Sequence, residues 1–400
     1  MSPPPRALRI AALVGAALVL TYVALWTQVS PRQIGRADFT STYVGGTLLR
    51  EGHRADLYDE RVQAPLHARL ISPDGEGNLP FVNPPTAALV SAPFTLLPLD
   101  SAYRLWSALQ AVLVVVACMV ATGGVPRRRA TAIAVVLIAL ASPALLRLLL
   151  LGQWNGVSAL GLAVAYRCWR SERMALGGAV VAGSAMIAKP HVAIGLAAFL
   201  LGWRQWRVLL GAVVATVSAV FAWLAIATPS GVAGWVALTA ADAHRWDAAT
   251  FVGFTGLTGA LLGNTTASTV LAVLLSLAGV VGAAVLGRRA RLPERLPVAL
   301  AGAAVLTALV SPHVYDHDLV IIPVVLSWWL IARLGAGMDS RQLSVTVIGW
   351  LSVCAAQLAV QGSGRPGLVV PSLLLLVLAG LLRRAPEVNP ARGGAISAAR

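Results

Sequence analysis

The sequence predicts an all-α protein that crosses a membrane about twelve times. Hydrophobic residues make up 58% of the 400-residue chain and charged residues only 12%, against about 25% charged residues in soluble domains. Apolar runs recur along the whole chain, and most are long enough to span a bilayer. The net charge of +15 concentrates in the short segments on one side of these runs. Soluble enzymes, secreted disulfide-bonded proteins and disordered chains are therefore excluded.

The apolar runs give the predicted crossings. The first run follows Arg6 and Arg9 and is longer than the apolar part of a signal peptide, so we expect an uncleaved first helix with a cytoplasmic N-terminus. The twelve runs are 10–26, 105–123, 130–151, 154–166, 174–188, 190–202, 207–228, 267–287, 296–312, 318–332, 343–360 and 367–382. We predict one integral-membrane domain over 1–385 and a flexible cytoplasmic tail over 386–400.

The arginines set the predicted orientation. When the sides alternate from a cytoplasmic start, the inner segments hold 20 of the 31 basic residues and four of the 16 acidic residues. Cytoplasmic loops of membrane proteins carry such an excess of basic residues. The outer segments are nearly neutral, so the positive charge reflects topology and gives no support to nucleic-acid binding. The pattern predicts a multi-pass protein of the cytoplasmic (inner) membrane with both termini in the cytoplasm.

Two apolar segments do not fit simple crossings. A single helix over 174–203 would be about 45 Å long, against a hydrocarbon core of about 30 Å, and arginines at both of its ends favour a return to the same side. We predict two short crossings or a re-entrant pair over 174–202, turning at Lys189 and Pro190. The proline-rich segment 84–98 is also expected to be re-entrant or interfacial.

Polar residues that a membrane helix avoids collect on the outer side. In the first outer loop, 30–104, Asp38 lies about ten residues beyond the first crossing. Residues 43–49 are predicted to form a short amphipathic helix at the membrane surface. Such a helix would hold the Asp38 carboxylate partly desolvated, where it could accept a proton from a hydroxyl nucleophile. A solvated loop acid is the alternative interpretation.

Two further outer segments carry candidate binding groups. Lys189 is the only lysine of the chain. It either extends toward the lipid head groups or contacts an anion beside the helix break at Pro190. Gln153 and Asn155 follow Gly152 at a predicted helix start, where they either cap the helix or bind a ligand.

The fifth outer segment is the densest in ionisable groups. Within six residues it contains His313, Tyr315, Asp316, His317 and Asp318. The H-x-x-x-H spacing would suit a metal site on a helix, but the preceding proline and the position between two crossings indicate a loop. Binding of a phosphate or a sugar and plain loop polarity are the other interpretations.

Six short motifs occur in order on the outer side. They are Asp38-Phe39 with Tyr43, Gly52 with Asp56-Leu57-Tyr58-Asp59, Phe81 with Asn83-Pro84-Pro85, Gly152-Gln153 with Asn155, Lys189-Pro190, and Ser311-Pro312-His313 with Tyr315 and His317. Taken together, over roughly residues 36–330, they resemble the motifs of glycosyltransferase family 87. The members of this family are polytopic enzymes of the glycosyltransferase-C fold.

The resemblance implies a function and a set of site residues. The donor would be a polyprenyl-phosphate sugar, commonly mannose, and the acceptor a hydroxyl of a lipid-linked or cell-envelope glycan on the extracytoplasmic face. Asp38 matches the general base of an inverting displacement. The candidates for binding the donor phosphate or sugar are Lys189, His313, Tyr315, His317, Gln153 and Asn155. The candidates for binding the acceptor or shaping the loop are Tyr43, Asp56, Tyr58 and Asn83.

The resemblance also sets expectations for cofactors and leaves alternatives open. No metal ion or cofactor is expected beside the lipid-linked donor, and membrane lipids are the remaining partner. A polyprenyl-phosphate arabinofuranosyltransferase is the alternative within the family. A twelve-helix secondary transporter and a non-catalytic membrane scaffold are the alternatives outside it. Transporters place charges near the bilayer midplane and show matching halves, whereas the polar groups here lie at one end of the crossings.

Overall fold

The chain folds into helices throughout the residues that its computed structural model describes, which are 6–71, 79–123, 129–242, 245–361 and 366–383. The α-helices of these ranges are α1 (Arg6–Thr27), α2 (Pro31–Gly35), α3 (Phe39–Arg50), α4 (Glu60–Ile71), α5 (Pro85–Ser91), α6 (Leu99–Ala121), α7 (Arg129–Leu140), α8 (Pro143–Leu151), α9 (Asn155–Arg170), α10 (Met174–Ala188), α11 (Ile194–Trp203), α12 (Trp206–Asp242), α13 (Phe254–Leu262), α14 (Thr266–Arg289), α15 (Leu296–Val310), α16 (Ile321–Gly335), α17 (Ser340–Gln361) and α18 (Val369–Arg383). Short 3₁₀ helices cover Ala92–Leu96, Pro190–Ala193, Ala248–Thr250, Pro293–Arg295 and Asp316–Val320. The predicted tail, 386–400, lies outside the described residues.

Seven helical segments of the described chain are long and apolar enough to cross a membrane. They contain α1, α6, α12, α14, α15, α16 and α17. An eighth is added if α7 and α8, which are bent by 65° at a short break, form one crossing. Four shorter apolar segments cover Pro85–Leu96, Met174–Ile187, Pro190–Trp203 and Val369–Leu382. The protein is a polytopic helical membrane protein, as predicted, but the full-length helices do not reach the predicted count of twelve.

The segments that contain α15 and α16 form the centre of the bundle. In their most apolar stretches 78% and 72% of the residues are buried, compared with 11% in α12 and 28% in α14. The outer helices expose large apolar side chains such as Phe221, Leu274 and Val281. Water-soluble proteins rarely expose contiguous apolar surface of this kind. The bundle therefore has a buried interior and an apolar outer surface, as expected of a protein surrounded by lipid.

Both predicted irregular segments are broken helices. Helix α10 ends at Ala188, and Pro190 starts a short 3₁₀ helix that leads into α11. Proline causes this break because it has no N–H to donate and disfavours the α conformation in the residue before it. The segment 84–98 is likewise divided, between α5 and the 3₁₀ helix that follows it.

Two helix boundaries differ from the prediction. The run 130–151, predicted as one crossing, is divided into α7 and α8 at Ser142 and Pro143. Helix α12 is broken at Thr228, the predicted end of its run, where φ is 63° and ψ is 165°, and a second helical part that was not predicted continues to Asp242. A proline follows or occupies each of these breaks, so the sequence carried the signal in both places.

The first loop is folded against the bundle, and one prediction for it is wrong. All residues of α3 from Phe39 to Leu48 are buried, so residues 43–49 do not form a surface helix with one exposed face. Gly45 allows this enclosure because the ring of Phe81 packs where a β-carbon would lie. The loop has its own apolar core, which buries part of the N-terminal half of α6 as well.

Candidate active site

Asp38 lies at the N-terminal end of α3, with its side chain half-buried. Its Oδ2 atom accepts a hydrogen bond from Nε2 of Gln153. Burial raises the pKa of the Asp38 carboxyl above its ordinary value, whereas the hydrogen bond from Gln153 and the charges of Lys189 and Arg147 act to lower it. The carboxylate is therefore held partly desolvated and close to cationic groups.

A tight turn at the end of α8 presents Gln153 to the site. Gly152 ends the helix in the left-handed conformation, with φ 63° and ψ 44°. Its carbonyl oxygen accepts a hydrogen bond from Nε1 of Trp106 at 2.9 Å. The next aromatic residue, Trp154, donates from Nε1 to Oγ1 of Thr42 in α3 at 3.1 Å. Two indole groups thus fix the turn on either side of Gln153.

Replacing Gly152 with alanine is expected to destabilise the fold. The left-handed conformation costs an L-residue about 1–2 kcal/mol, and the added β-carbon would overlap Phe39, which costs about 1–3 kcal/mol more. Thermal unfolding in detergent measures the loss. Gly349→Ala in α17 is the matched control, since nothing lies within 4 Å of its added carbon. Equal unfolding midpoints for the two variants would contradict the prediction.

A second carboxylate, Asp318, is almost fully buried and surrounded by donors. Its Oδ1 atom accepts hydrogen bonds from Nζ of Lys189 at 2.8 Å and from Nδ2 of Asn155 at 2.6 Å. Its Oδ2 atom accepts from the backbone N–H of Tyr315 at 2.8 Å. Nζ of Lys189 also lies 3.0 Å from Nε2 of His317, which acts as the acceptor when Lys189 is charged. Lys189 is thus an ion-pair partner and does not extend toward lipid head groups.

The two carboxylates belong to one site. Gln153 donates to Asp38 and Asn155 donates to Asp318. Residues two apart in a chain have α-carbons at most about 7 Å apart. The charges of Lys189 and Asp318 also act on Asp38. Residues that the sequence places in four separate outer segments therefore meet.

A cluster of aromatic rings lies at one side of the site. The ring of Tyr315 stacks on His317, with centroids 5.6 Å apart. Phe251 packs edge-on against both His313 and Tyr315, with centroids 5.0 Å away in each case. A backbone hydrogen bond of 2.8 Å from Val252 to the carbonyl of Val314 fixes the two segments together. His313, Tyr315 and His317 are therefore held in place by packing.

The hydroxyl of Tyr315 lies within electrostatic reach of three carboxylates. Burial raises its pKa well above the ordinary value, and the charges of Asp38, Asp242 and Asp318 act in the same direction. The hydroxyl therefore remains protonated at neutral pH and has the side chain of Thr250 as a hydrogen-bond partner.

The other four predicted residues lie in the fold of the first loop. The hydroxyl of Tyr43 donates to the carbonyl of Leu97 at 2.8 Å, and that of Tyr58 donates to the carbonyl of Asn83 at 2.7 Å. Asp56 is exposed in the turn before α4. The two tyrosines and the Asn83 carbonyl thus fold the loop, and any contact with an acceptor remains a prediction.

Two residues of the site were not predicted to act in it. Asp318 was recognised only as one polar group among five, because its partners come from distant segments. Arg147 lies within the apolar run 130–151, which predicts a membrane crossing. It is the only charged residue between Arg129 and Arg167. A lone charge in a membrane helix is a signal for function, and it could have identified Arg147.

Donors within the protein engage the groups that had suggested a metal site. Both oxygens of Asp318 and Nε2 of His317 face nitrogen atoms of the protein. In the part of the chain that the structure describes, no group of three or more His, Cys, Asp and Glu residues is arranged to hold a metal ion.

The fold and the site define an integral-membrane protein with a polar centre of the kind that acid–base chemistry requires. A sequence model of glycosyltransferase family 87 matches residues 81–312, more than half of the chain. The chain belongs to this family and is a membrane glycosyltransferase. Membership favours the enzyme over the secondary transporter and the membrane scaffold.

The matched range covers part of the site. It contains Gln153, Asn155 and Lys189, begins after Asp38 and ends one residue before His313. Comparison with curated proteins and with solved structures gives no match.

Proposed function

We propose that the chain transfers a sugar, mannose, from a polyprenyl-phosphate donor to a hydroxyl of a lipid-linked or cell-envelope glycan, with inversion. The carrying observation is the pair of hydrogen bonds by which Gln153 and Asn155 connect Asp38 to the ion pair of Lys189 and Asp318. These contacts support an active site in which a base and cationic groups lie close together.

Asp38 acts as the base in the proposed displacement. Its carboxylate accepts the proton of the acceptor hydroxyl while the hydroxyl oxygen bonds to the anomeric carbon of the donor. The bond from that carbon to the phosphate oxygen breaks on the opposite side, and its electron pair leaves with the polyprenyl phosphate. The leaving phosphate needs stabilisation by cations or hydrogen-bond donors.

The proposed donor-binding groups lie around the two carboxylates, Asp38 and Asp318. Gln153, Asn155, Lys189, His313, Tyr315 and His317 would bind the phosphate or the sugar. His317 would do so as a neutral imidazole, because its Nε2 atom faces Nζ of Lys189. Tyr43, Asp56, Tyr58 and Asn83 would shape the loop or contact the acceptor. We propose that no metal ion or cofactor takes part.

The proposed topology has twelve crossings of the glycosyltransferase-C type in the cytoplasmic membrane. Short helices supply the crossings beyond those of full length, and the 16 residues of α9 rise about 24 Å. The arginine excess of the inner segments supports cytoplasmic termini and an extracytoplasmic site. Since nucleotide sugars are cytoplasmic, a site on the other face needs a donor carried by lipid. One membrane domain would cover 1–385, followed by a cytoplasmic tail over 386–400.

A transfer assay tests the function. The full chain in membranes is given labelled polyprenyl-phosphate mannose, polyprenyl-phosphate arabinofuranose or GDP-mannose, and extracted envelope lipids serve as acceptors. Each reaction is run with and without EDTA. We expect transfer from polyprenyl-phosphate mannose that EDTA leaves unchanged. Transfer from the arabinofuranose donor instead would establish the alternative sugar. Transfer from GDP-mannose would overturn the proposal. Absence of transfer from both polyprenyl-phosphate donors would also overturn it.

The hydrogen bond from Gln153 makes a prediction about pH dependence. Replacing Gln153 with leucine removes a donor that stabilises the charged form of Asp38, so the pKa of the carboxyl rises further. A base must be ionised to act, and activity is lost as the pH falls through its pKa. We therefore expect the acid limb of the kcat/KM profile to move to higher pH. Gln342→Leu, at an exposed position of α17, should leave the limb in place.

A further inference from the structure

Arg147 lies in the middle of α8, between apolar residues on both sides in the sequence. The residue is half-buried, and its Nε atom is buried without a hydrogen-bond partner. In the described part of the chain, no ion pair or hydrogen bond joins its guanidinium to another group. Leaving a buried donor of such a group without a hydrogen bond is costly, so its retention indicates a partner from outside the chain.

The surroundings of Arg147 place its charge at the candidate active site. Helix α8 packs against the 3₁₀ helix Asp316–Val320, and the turn that ends α8 carries Gln153. The guanidinium lies within electrostatic reach of Asp38, Asp316 and His317. Helix α8 is bent by 65° relative to α7, so it does not continue the direction of that helix.

The charge of Lys189 is already compensated. Its Nζ atom forms a 2.8 Å ion pair with Asp318, whose side chain is 1% exposed, and lies 3.0 Å from His317. The ion pair contributes little net positive charge to an incoming anion. Arg147 has no such partner at ion-pair distance, so it is the cation of the site whose donors are available.

We propose that Arg147 is the principal cation that binds the phosphate of the lipid-linked donor. This role deepens the proposed function and rests on it. A guanidinium presents paired N–H donors that match two oxygens of one phosphate, whereas an ammonium acts as a point charge. Arg147 stabilises the phosphate as the sugar leaves it, and Lys189 contributes less to binding the donor because its charge is compensated by Asp318.

Binding of polyprenyl phosphate tests the role separately from transfer. The full chain is placed in nanodiscs of phosphatidylcholine, and the dissociation constant for polyprenyl phosphate is measured with wild type, Arg147→Met and Arg147→Lys. We expect Arg147→Met to weaken binding about 10- to 100-fold, as for loss of a charged hydrogen bond, and Arg147→Lys to recover part of the loss. Arg61→Met, at a side chain 90% exposed, is the control and should bind like wild type.

The outcomes separate the inference from the function on which it rests. Unchanged affinity in Arg147→Met overturns the role of Arg147. If the methionine variant does not fold, unchanged affinity in Arg147→Gln, which also removes the charge, overturns it instead. Equal competition by phosphatidylglycerol or inorganic phosphate would indicate a general anion site and also overturns it. Failure of wild type to bind any polyprenyl phosphate instead contradicts the proposed function.

Discussion

Replacing Asp38 with asparagine is expected to lower sugar transfer about 10²- to 10⁴-fold, the usual contribution of a positioned general base. Asparagine has the same shape and keeps an oxygen that can accept from Gln153, but it cannot take the proton of the acceptor hydroxyl. The fold and the affinity for polyprenyl phosphate should change little, so the loss should fall on kcat. Initial rates at saturating donor, measured in nanodiscs, give the result.

Asp59 provides the matched control for this substitution. It lies in the same loop, is paired with the exposed Arg61 and accepts from the Arg61 backbone at 2.9 Å. Asp59→Asn changes the same functional group, and we expect its transfer rate to remain within about twofold of wild type, as at most surface positions. An Asp38→Asn protein that transferred sugar at the wild-type rate would falsify the assignment of Asp38 as the base.

Replacing Lys189 with methionine is expected to destabilise the protein by about 3–5 kcal/mol, because it leaves the charge of Asp318 buried and unpaired. The double variant Lys189→Met with Asp318→Asn removes both charges. Replacing a buried ion pair by neutral residues of similar volume is often close to neutral, so most of the stability should return. Unfolding in detergent, followed by tryptophan fluorescence, compares the two proteins with wild type.

An exposed ion pair supplies the reference for this comparison. Arg245 and Glu60 form two hydrogen bonds of 2.7 and 2.8 Å, with both side chains 38% exposed. Arg245→Met should cost only about 0.2–1 kcal/mol, since water screens such pairs. If the double variant at residues 189 and 318 is no more stable than Lys189→Met alone, the ion pair is not the reason for the loss.

The helices could be predicted from the sequence wherever the length of an apolar run or a proline determines where a helix ends. The segment around Lys189 and Pro190 was too long for one crossing and too short for two ordinary ones, so a break followed from arithmetic. The run 130–151 had the length and hydropathy of one crossing, and only Pro143 indicated the bend. The burial of α3 depends on Phe81 packing against Gly45. This contact joins two segments that are distant in sequence, so no periodic pattern of apolar residues indicates it.

The site could be predicted as far as its residues lie in polar segments. Gln153 and Asn155 stand out because the turn between their apolar runs is short, and Asp38 stands out because it lies about ten residues beyond the first crossing. The partners of these residues could not be predicted, since each hydrogen bond joins segments more than 100 residues apart. The neighbours of Arg147 along the chain are leucines, and only its isolated charge indicates a function.

The ion pair of Lys189 and Asp318 has a consequence for biosynthesis. The two residues are 129 positions apart, so the ribosome delivers the lysine to the membrane long before its carboxylate exists. During that interval an unpaired ammonium lies at a break between two apolar helices, where it is costly. Chains that stop before residue 318 keep this defect permanently. Such truncated products should be degraded faster than truncations made after residue 335, and pulse-chase labelling would reveal the difference.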